Sequence, residues 1–220
     1  MKIIDKKFSE FFTELKNNNN KEWFHANKKR YEQSVKEPFH LLIETLIAPI
    51  QSIDPAIPDT VREILMRINR DIRFSKDKTP YNNMMKANFT PEGRKSGNPG
   101  FYLGISASDV HMGGGLYQAS SADLKKIRRF MVSNIEMCKQ VFESKKVKEA
   151  FGDVKGEKAK RIDKELSLHV AELPILQNKQ FFYMKKVAIE DFLKVDQVQM
   201  ITDHFITASE VHRFLMQALH

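Results

Sequence analysis

Apolar residues recur along this chain with two different periods, and the change of period divides it into three parts. Phe8, Phe11, Phe12 and Leu15 stand at i, i+3, i+4 and i+7, which is one face of a helix. The asparagine run 17–20 ends that helix, and Asn20 suits the N-cap of the next because its side-chain oxygen accepts a backbone N–H. The second helix carries Trp23, Phe24, Tyr31 and Val35. Pro38 opens a third, with Phe39, Leu42, Ile43, Leu46 and Ile47 turned inward, fading near Pro49. Residues 53–58 read as a connector.

The period then shortens to two. Ile64, Met66, Ile68, Ile72 and Phe74 share one side of an alternating segment, with Arg70 the one charge among them. The other side shows Arg67, Asn69, Asp71 and Arg73. This favours a strand over about 64–69 and a partly irregular stretch over 70–81. Thr60-x-x-Glu63 supports a competing helical start as a capping box. Met84–Phe89 is a further strand, and the glycine-punctuated residues 93–100 form a flexible loop. Phe101–Ser106 and Val110–Leu116 make a hairpin around Ala107-Ser108-Asp109.

Helical spacing returns after Ser120-x-x-Asp123, a second capping-box pattern, with Leu124, Ile127, Met131, Ile135, Cys138 and Phe142 on one face. Phe181, Tyr183, Lys185 and Val187 alternate within a strand at 180–189, and Asp196 caps a closing helix with Val198, Ile201, Phe205, His212, Leu215 and Leu219. The expected fold is α+β: N-terminal helices, a central mostly antiparallel sheet and C-terminal helices. A single domain over residues 1–220 is expected, since no linker or repeat divides the chain.

Composition narrows the class. Hydrophobic residues make up 41% and charged residues 29%, as in an ordinary globular protein. No run of about eighteen apolar residues and no signal-like apolar segment is present, so no membrane association and a cytoplasmic location are expected. The single Cys138 excludes an intramolecular disulfide framework. No metal-binding, nucleophile-elbow or dinucleotide motif occurs, so no metal and no cofactor are expected. The net charge is +8, with residues 61–95 and 121–170 contributing +5 each while residues 1–60 are balanced. Such an excess favours anionic partners. Oligomeric state is not readable.

The chemistry concentrates in residues 67–81. Arg67, Arg70, Arg73, Lys76 and Lys78 are mixed there with Asp71, Asp77 and Tyr81. A guanidinium at position 70, on an apolar face, must be paired or must bind an anion, because an unpaired buried charge is too costly. The segment therefore reads in three ways. It is an anion-binding motif, an enzyme site with Asp71 or Asp77 as base and Tyr81 or His111 as proton donor, or an internal salt-bridge network. Gly113, Gly114 and Gly115 add a place where backbone can approach a ligand closely, or simply a strand-end bend.

Asn-Asn-Lys-Glu-Trp-Phe (19–24) with Tyr31-Glu32, Arg-Asp-Ile-Arg-Phe-Ser-Lys-Asp-Lys-Thr-Pro-Tyr (70–81) and Gly-Gly-Gly (113–115) resemble an uncharacterised conserved bacterial protein family (domain of unknown function 2461) over nearly the whole chain. The resemblance implies a single-domain cytosolic protein and supplies no activity, substrate or cofactor. Asn82 departs from the basic residue that the resemblance leads one to expect after the Pro-Tyr pair. The leading expectation is binding of a phosphate-bearing ligand or nucleic acid through the basic segment 67–86, with Gly113, Gly114 and Gly115 closing in.

Overall fold

The computed structural model describes all 220 residues. Helix α1 (Lys6–Asn17) starts where the Asp5 carboxylate accepts from the Lys7 N–H at 2.9 Å, and buries Phe8, Phe11, Phe12 and Leu15. Helix α2 (Lys21–Ala26) is capped by Asn20, whose side-chain oxygen accepts from Trp23 N–H at 2.8 Å. Helix α3 (Lys28–Tyr31) runs through a π-helical turn, Glu32–Lys36, into α4 (Glu37–Gln51). Pro38 lies in the first turn of α4, as its missing N–H allows. Pro49 falls in the last turn of α4, which ends two residues later at Gln51.

The strand expected over 64–69 is replaced by a helical turn and two bridges. Helix α5 (Val61–Ile64) follows Thr60, whose Oγ1 donates to Glu63 Oε2 at 2.6 Å without capping a backbone N–H. Beyond it the chain is extended but meets partners only at Leu65↔Ala87 and Asn69↔Tyr81. Arg70 N–H donates to Pro80 O at 2.9 Å and Asn82 N–H to Ile68 O at 2.8 Å, which draws 70–80 into a closed loop. Phe74, expected on the apolar side, sits on that loop and is 95% exposed.

Strands β1 (Met84–Phe89), β2 (Gly100–Ser106), β3 (Asp109–Leu116) and β4 (Phe181–Ala188) form one antiparallel sheet in that order. Between β3 and β4 come α6 (Ser121–Ser133), α7 (Ile135–Phe142), α8 (Lys145–Phe151), α9 (Lys164–Ser167) and a 3₁₀ turn, Pro174–Gln177. Ser120 Oγ caps α6 by accepting from Asp123 N–H at 3.1 Å. The single helix expected from Leu124 to Phe142 breaks at Asn134, whose side chain donates to Phe130 O at 2.9 Å and so competes with the backbone ladder. After β4 come α10 (Ile189–Phe192) and the long α11 (Gln197–Leu219).

This is an α+β fold with helices at both ends and an antiparallel sheet between them. One face of the sheet, carrying Met85, Phe89, Phe101, Leu103, Val110, Met112 and Tyr183, is buried in a continuous apolar cluster that runs from Ile4 to Ala218. Phe205 of α11 fills it, with ring centroids 5.8 Å from Phe89 and 5.1 Å from Phe101. The start of α11 is tied to the first residues by Gln197. Its oxygen accepts from Ile3 and Ile4 N–H, both at 2.8 Å, and its nitrogen donates to Ile4 O at 2.7 Å. No helix is long and apolar enough to cross a membrane.

Candidate functional site

Two of the segments that carry the family resemblance, 19–24 and 70–81, meet in space. Asn19 Oδ1 accepts from Tyr81 N–H at 3.1 Å, and its Nδ2 donates to Tyr81 O at 2.9 Å. The Tyr81 ring stacks on Phe24 with centroids 3.9 Å apart and 16° between planes. Tyr81 is thus buried in the helical core, and burial pushes its phenol pKa up. The N-terminal helices grip one end of the basic loop through these contacts.

Inside the loop the arginines close on the carboxylates. Arg70, its side chain 24% exposed, donates from Nη1 to Asp77 Oδ2 at 2.5 Å, to Thr79 O at 3.1 Å and to Thr79 Oγ1. Arg73 makes a two-point pair with Asp71, Nε–Oδ1 3.0 Å and Nη2–Oδ2 2.7 Å, in solvent. The Asp77 pKa is lowered to about 2, first by the Thr79 N–H and then by Arg70. The Asp71 pKa is lowered to about 2 by Arg73. A carboxylate held that low is a weak base at neutral pH. Lys78 donates to Ile72 O at 3.0 Å, while Arg67 and Lys76 point to solvent without a carboxylate partner.

A second basic constellation lies next to this loop, on the face of the sheet turned away from the core. Residues two apart along a strand share a face, and the register aligns Lys86, Gly104, His111 and Lys186 in one cross-strand row. The next row is Asn88, Tyr102, Gly113 and Met184, and the last is Gly100, Gly115 and Phe182. Together with the loop 90–99 these rows enclose a cleft of about 680 Å³. Lys86, Arg94, Lys95 and His111 line it, with Tyr102, Tyr117 and Phe182, and no Asp or Glu does.

The glycines shape its floor. A β-carbon on Gly113 would meet the Tyr183 carbonyl of the neighbouring strand, and Gly115 has φ +119° against the Phe181 carbonyl. Outward positions on β3 therefore read His111, bare, bare, and then Tyr117 just beyond the strand. Gly114 and Gly115 line the cleft, while Gly113 keeps β3 and β4 in close register beside it. The Tyr102 ring lies back over Gly104, its hydroxyl 2.7 Å from where a β-carbon would stand. Burial pushes that phenol up to about 12.

The cations are held but not neutralised. Lys86 Nζ donates to Asn82 Oδ1 at 3.2 Å, a neutral partner, and burial followed by the Arg70 charge lowers its pKa. Arg94 is anchored by its N–H to Glu63 O at 2.7 Å and by its guanidinium to Arg62 O, and Asn88 Nδ2 donates to Arg94 O at 3.2 Å. Lys86, Arg94 and Lys95 form no ion pair within the chain. Burial lowers the His111 pKa, partly offset by Asp109 and then lowered further by Lys186 and Lys155.

Of the residues singled out from the sequence, His111, Gly114 and Gly115 come together in this cleft, and Arg70 stands behind Lys86 at its border. Asp71, Asp77, Tyr81, Arg73, Lys76 and Lys78 belong to the adjoining loop and do not line it. Lys86 is the last residue of the basic segment 67–86, whereas Arg94, Lys95, Tyr102, Tyr117 and Phe182 lie outside the site residues the sequence points to. The available signal was weak: two adjacent cations in a glycine-rich loop, and polar residues at alternate positions of Met84–Phe89. No group of three or more His, Cys, Asp or Glu side chains is placed to hold a metal ion.

An antiparallel sheet covered by helices on one face and carrying a basic, glycine-floored cleft on the other defines the structural class of this protein. Residues 7–214 match the family described as conserved hypothetical protein (DUF2461), and the chain belongs to that family. A search of curated proteins finds no match.

Proposed function

We propose that the protein binds an anionic ligand, bearing phosphate or carboxylate, in the cleft on the open face of the sheet. The observation that carries this reading is the charge inventory: Lys86, Arg94, Lys95 and His111 converge on one cleft that contains no carboxylate. A half-buried ammonium with only an amide for partner is an incomplete site, and an incoming anion supplies the missing charge. Arg94 offers a planar two-point donor, which suits phosphate or carboxylate oxygens. His111, once protonated, adds a further cation.

The basic loop supports the cleft from one side. Arg70 is already satisfied by Asp77 and Thr79, so its part is to hold the loop closed and to raise the local potential beside Lys86. In this reading the anion-binding segment first expected at 67–86 acts through its last residue, Lys86, together with the loop that carries Arg94 and Lys95.

The test is a calorimetric titration with inorganic pyrophosphate at two salt concentrations. Saturable binding that weakens as salt rises is expected, with Lys86→Met and Arg94→Ala each lowering affinity at least about fivefold. Lys145→Met, in α8 and away from the cleft, serves as control and leaves affinity unchanged. Binding that is absent, or that the three variants affect equally, overturns the reading.

A further inference from the structure

We infer that the ligand of this cleft carries a planar aromatic ring as well as its anionic group, as a nucleotide does, whether free or within a strand. This rests on the anion-binding reading above and adds to it a second recognition element at the end of the cleft away from Lys86 and His111. There, Tyr117 and Phe182 stand with ring centroids 5.2 Å apart and 68° between planes, and both line the cleft. Tyr117 is 62% exposed although it follows directly on a buried strand. An exposed ring set against a second ring offers a stacking surface, and stacking on a nucleobase is tolerant of which base is bound.

The spacing supports a two-part ligand. His111 and Lys86 mark the cationic row and Gly115 and Phe182 the aromatic row, four positions further along β3, about 13 Å of strand. Gly114 and Gly115 line the cleft without side chains, so a flat group can lie against bare backbone there. A ligand that is only an anion would have no use for that bare span or for the rings beyond it. Gln118 and Asn98 border the same cleft, and each amide offers both a donor and an acceptor of the kind that pairs with a base edge.

The discriminating experiment compares ligands that differ only in the ring. Ribose 5-phosphate, the four nucleoside 5′-monophosphates and a short single-stranded oligonucleotide are titrated against the wild-type protein and Tyr117→Ala. At least one nucleotide is expected to bind about tenfold more tightly than ribose 5-phosphate, and Tyr117→Ala is expected to abolish that advantage while leaving ribose 5-phosphate unaffected. A strand that binds more tightly than any mononucleotide assigns the ring to nucleic acid, and equal affinity assigns it to free nucleotide. If ribose 5-phosphate binds as well as every nucleotide, or Tyr117→Ala weakens all probes alike, the aromatic inference is overturned and the anion reading stands. If neither these probes nor pyrophosphate binds, both fall.

Discussion

Lys86 and His111 lie on one cross-strand row, on either side of Gly104, with the phenol of Tyr102 folded over the glycine between them. Lys86, with the titratable ring of His111 on the same row and no carboxylate across it, makes the electrostatic centre of the cleft. Their placement depends on glycines whose missing side chains leave room for a ring or a neighbouring strand.

That dependence separates two glycines. A β-carbon at Gly113 meets backbone, the Tyr183 carbonyl, which moves only if β3 and β4 part. At Gly104 it meets the end of the Tyr102 side chain, which can swing away. Chemical denaturation should show Gly113→Ala destabilised by about 3 kcal/mol or more and Gly104→Ala by about 1 kcal/mol. Equal costs would mean that strand pairing tolerates a side chain at 113.

The two arginine pairs of the basic loop should behave differently. Arg70 ties three groups on the far side of the loop, whereas Arg73 pairs only with Asp71 in solvent, where screening leaves little net gain. Limited proteolysis should cut Arg70→Ala within residues 70–80 several-fold faster than wild type. Arg73→Ala should be cut at the wild-type rate, and faster cutting there would assign the closure of the loop to the wrong pair.

A buried histidine sets a pH limit on stability. His212 Nε2 lies 2.7 Å from Asp54 Oδ2, its ring stacks near Phe101 at 5.0 Å, and Nδ1 is buried without a partner. Burial lowers its pKa below the ordinary 6.5, against a smaller opposing pull from Asp54. The unfolded chain then takes up this proton more readily than the folded one. The stability it contributes is full above about 6.5 and lost as pH falls through the depressed folded value. Denaturation curves from pH 8 to 5 should show His212→Gln losing less stability than wild type over that interval. A parallel or steeper loss would show that the histidine is not held neutral.

Much of this architecture is legible in the sequence because it is local. Helical spacing marks Phe8 to Leu15, and the Asn20, Ser120 and Asp196 caps mark three helix starts, all within a few residues of what they bind. Alternation marks β4, through Phe181, Tyr183, Lys185 and Val187. It misleads at 64–69, where the chain meets partners only at two isolated bridges, and at Phe74, where the loop carries the alternating face into solvent.

The cleft itself is not legible. It joins Lys86, His111, Tyr117 and Phe182 from three strands and a loop, and only the register of the sheet makes neighbours of them. The clasp of Tyr81 by Asn19 is equally hidden, since 62 positions separate the two residues. Reading Arg70 as a charge that must be paired was possible from its face alone. Reading its partners as Asp77 and Thr79 required the turn.

The most direct test of the central claim is to map where an anion lands. Backbone amide resonances are followed by two-dimensional NMR as pyrophosphate is added to the intact protein. The account predicts saturable shifts at Lys86, Arg94, Lys95, His111 and Gly115, with residues 71–78 little changed. Shifts centred on 71–78, or none at the cleft, would contradict it.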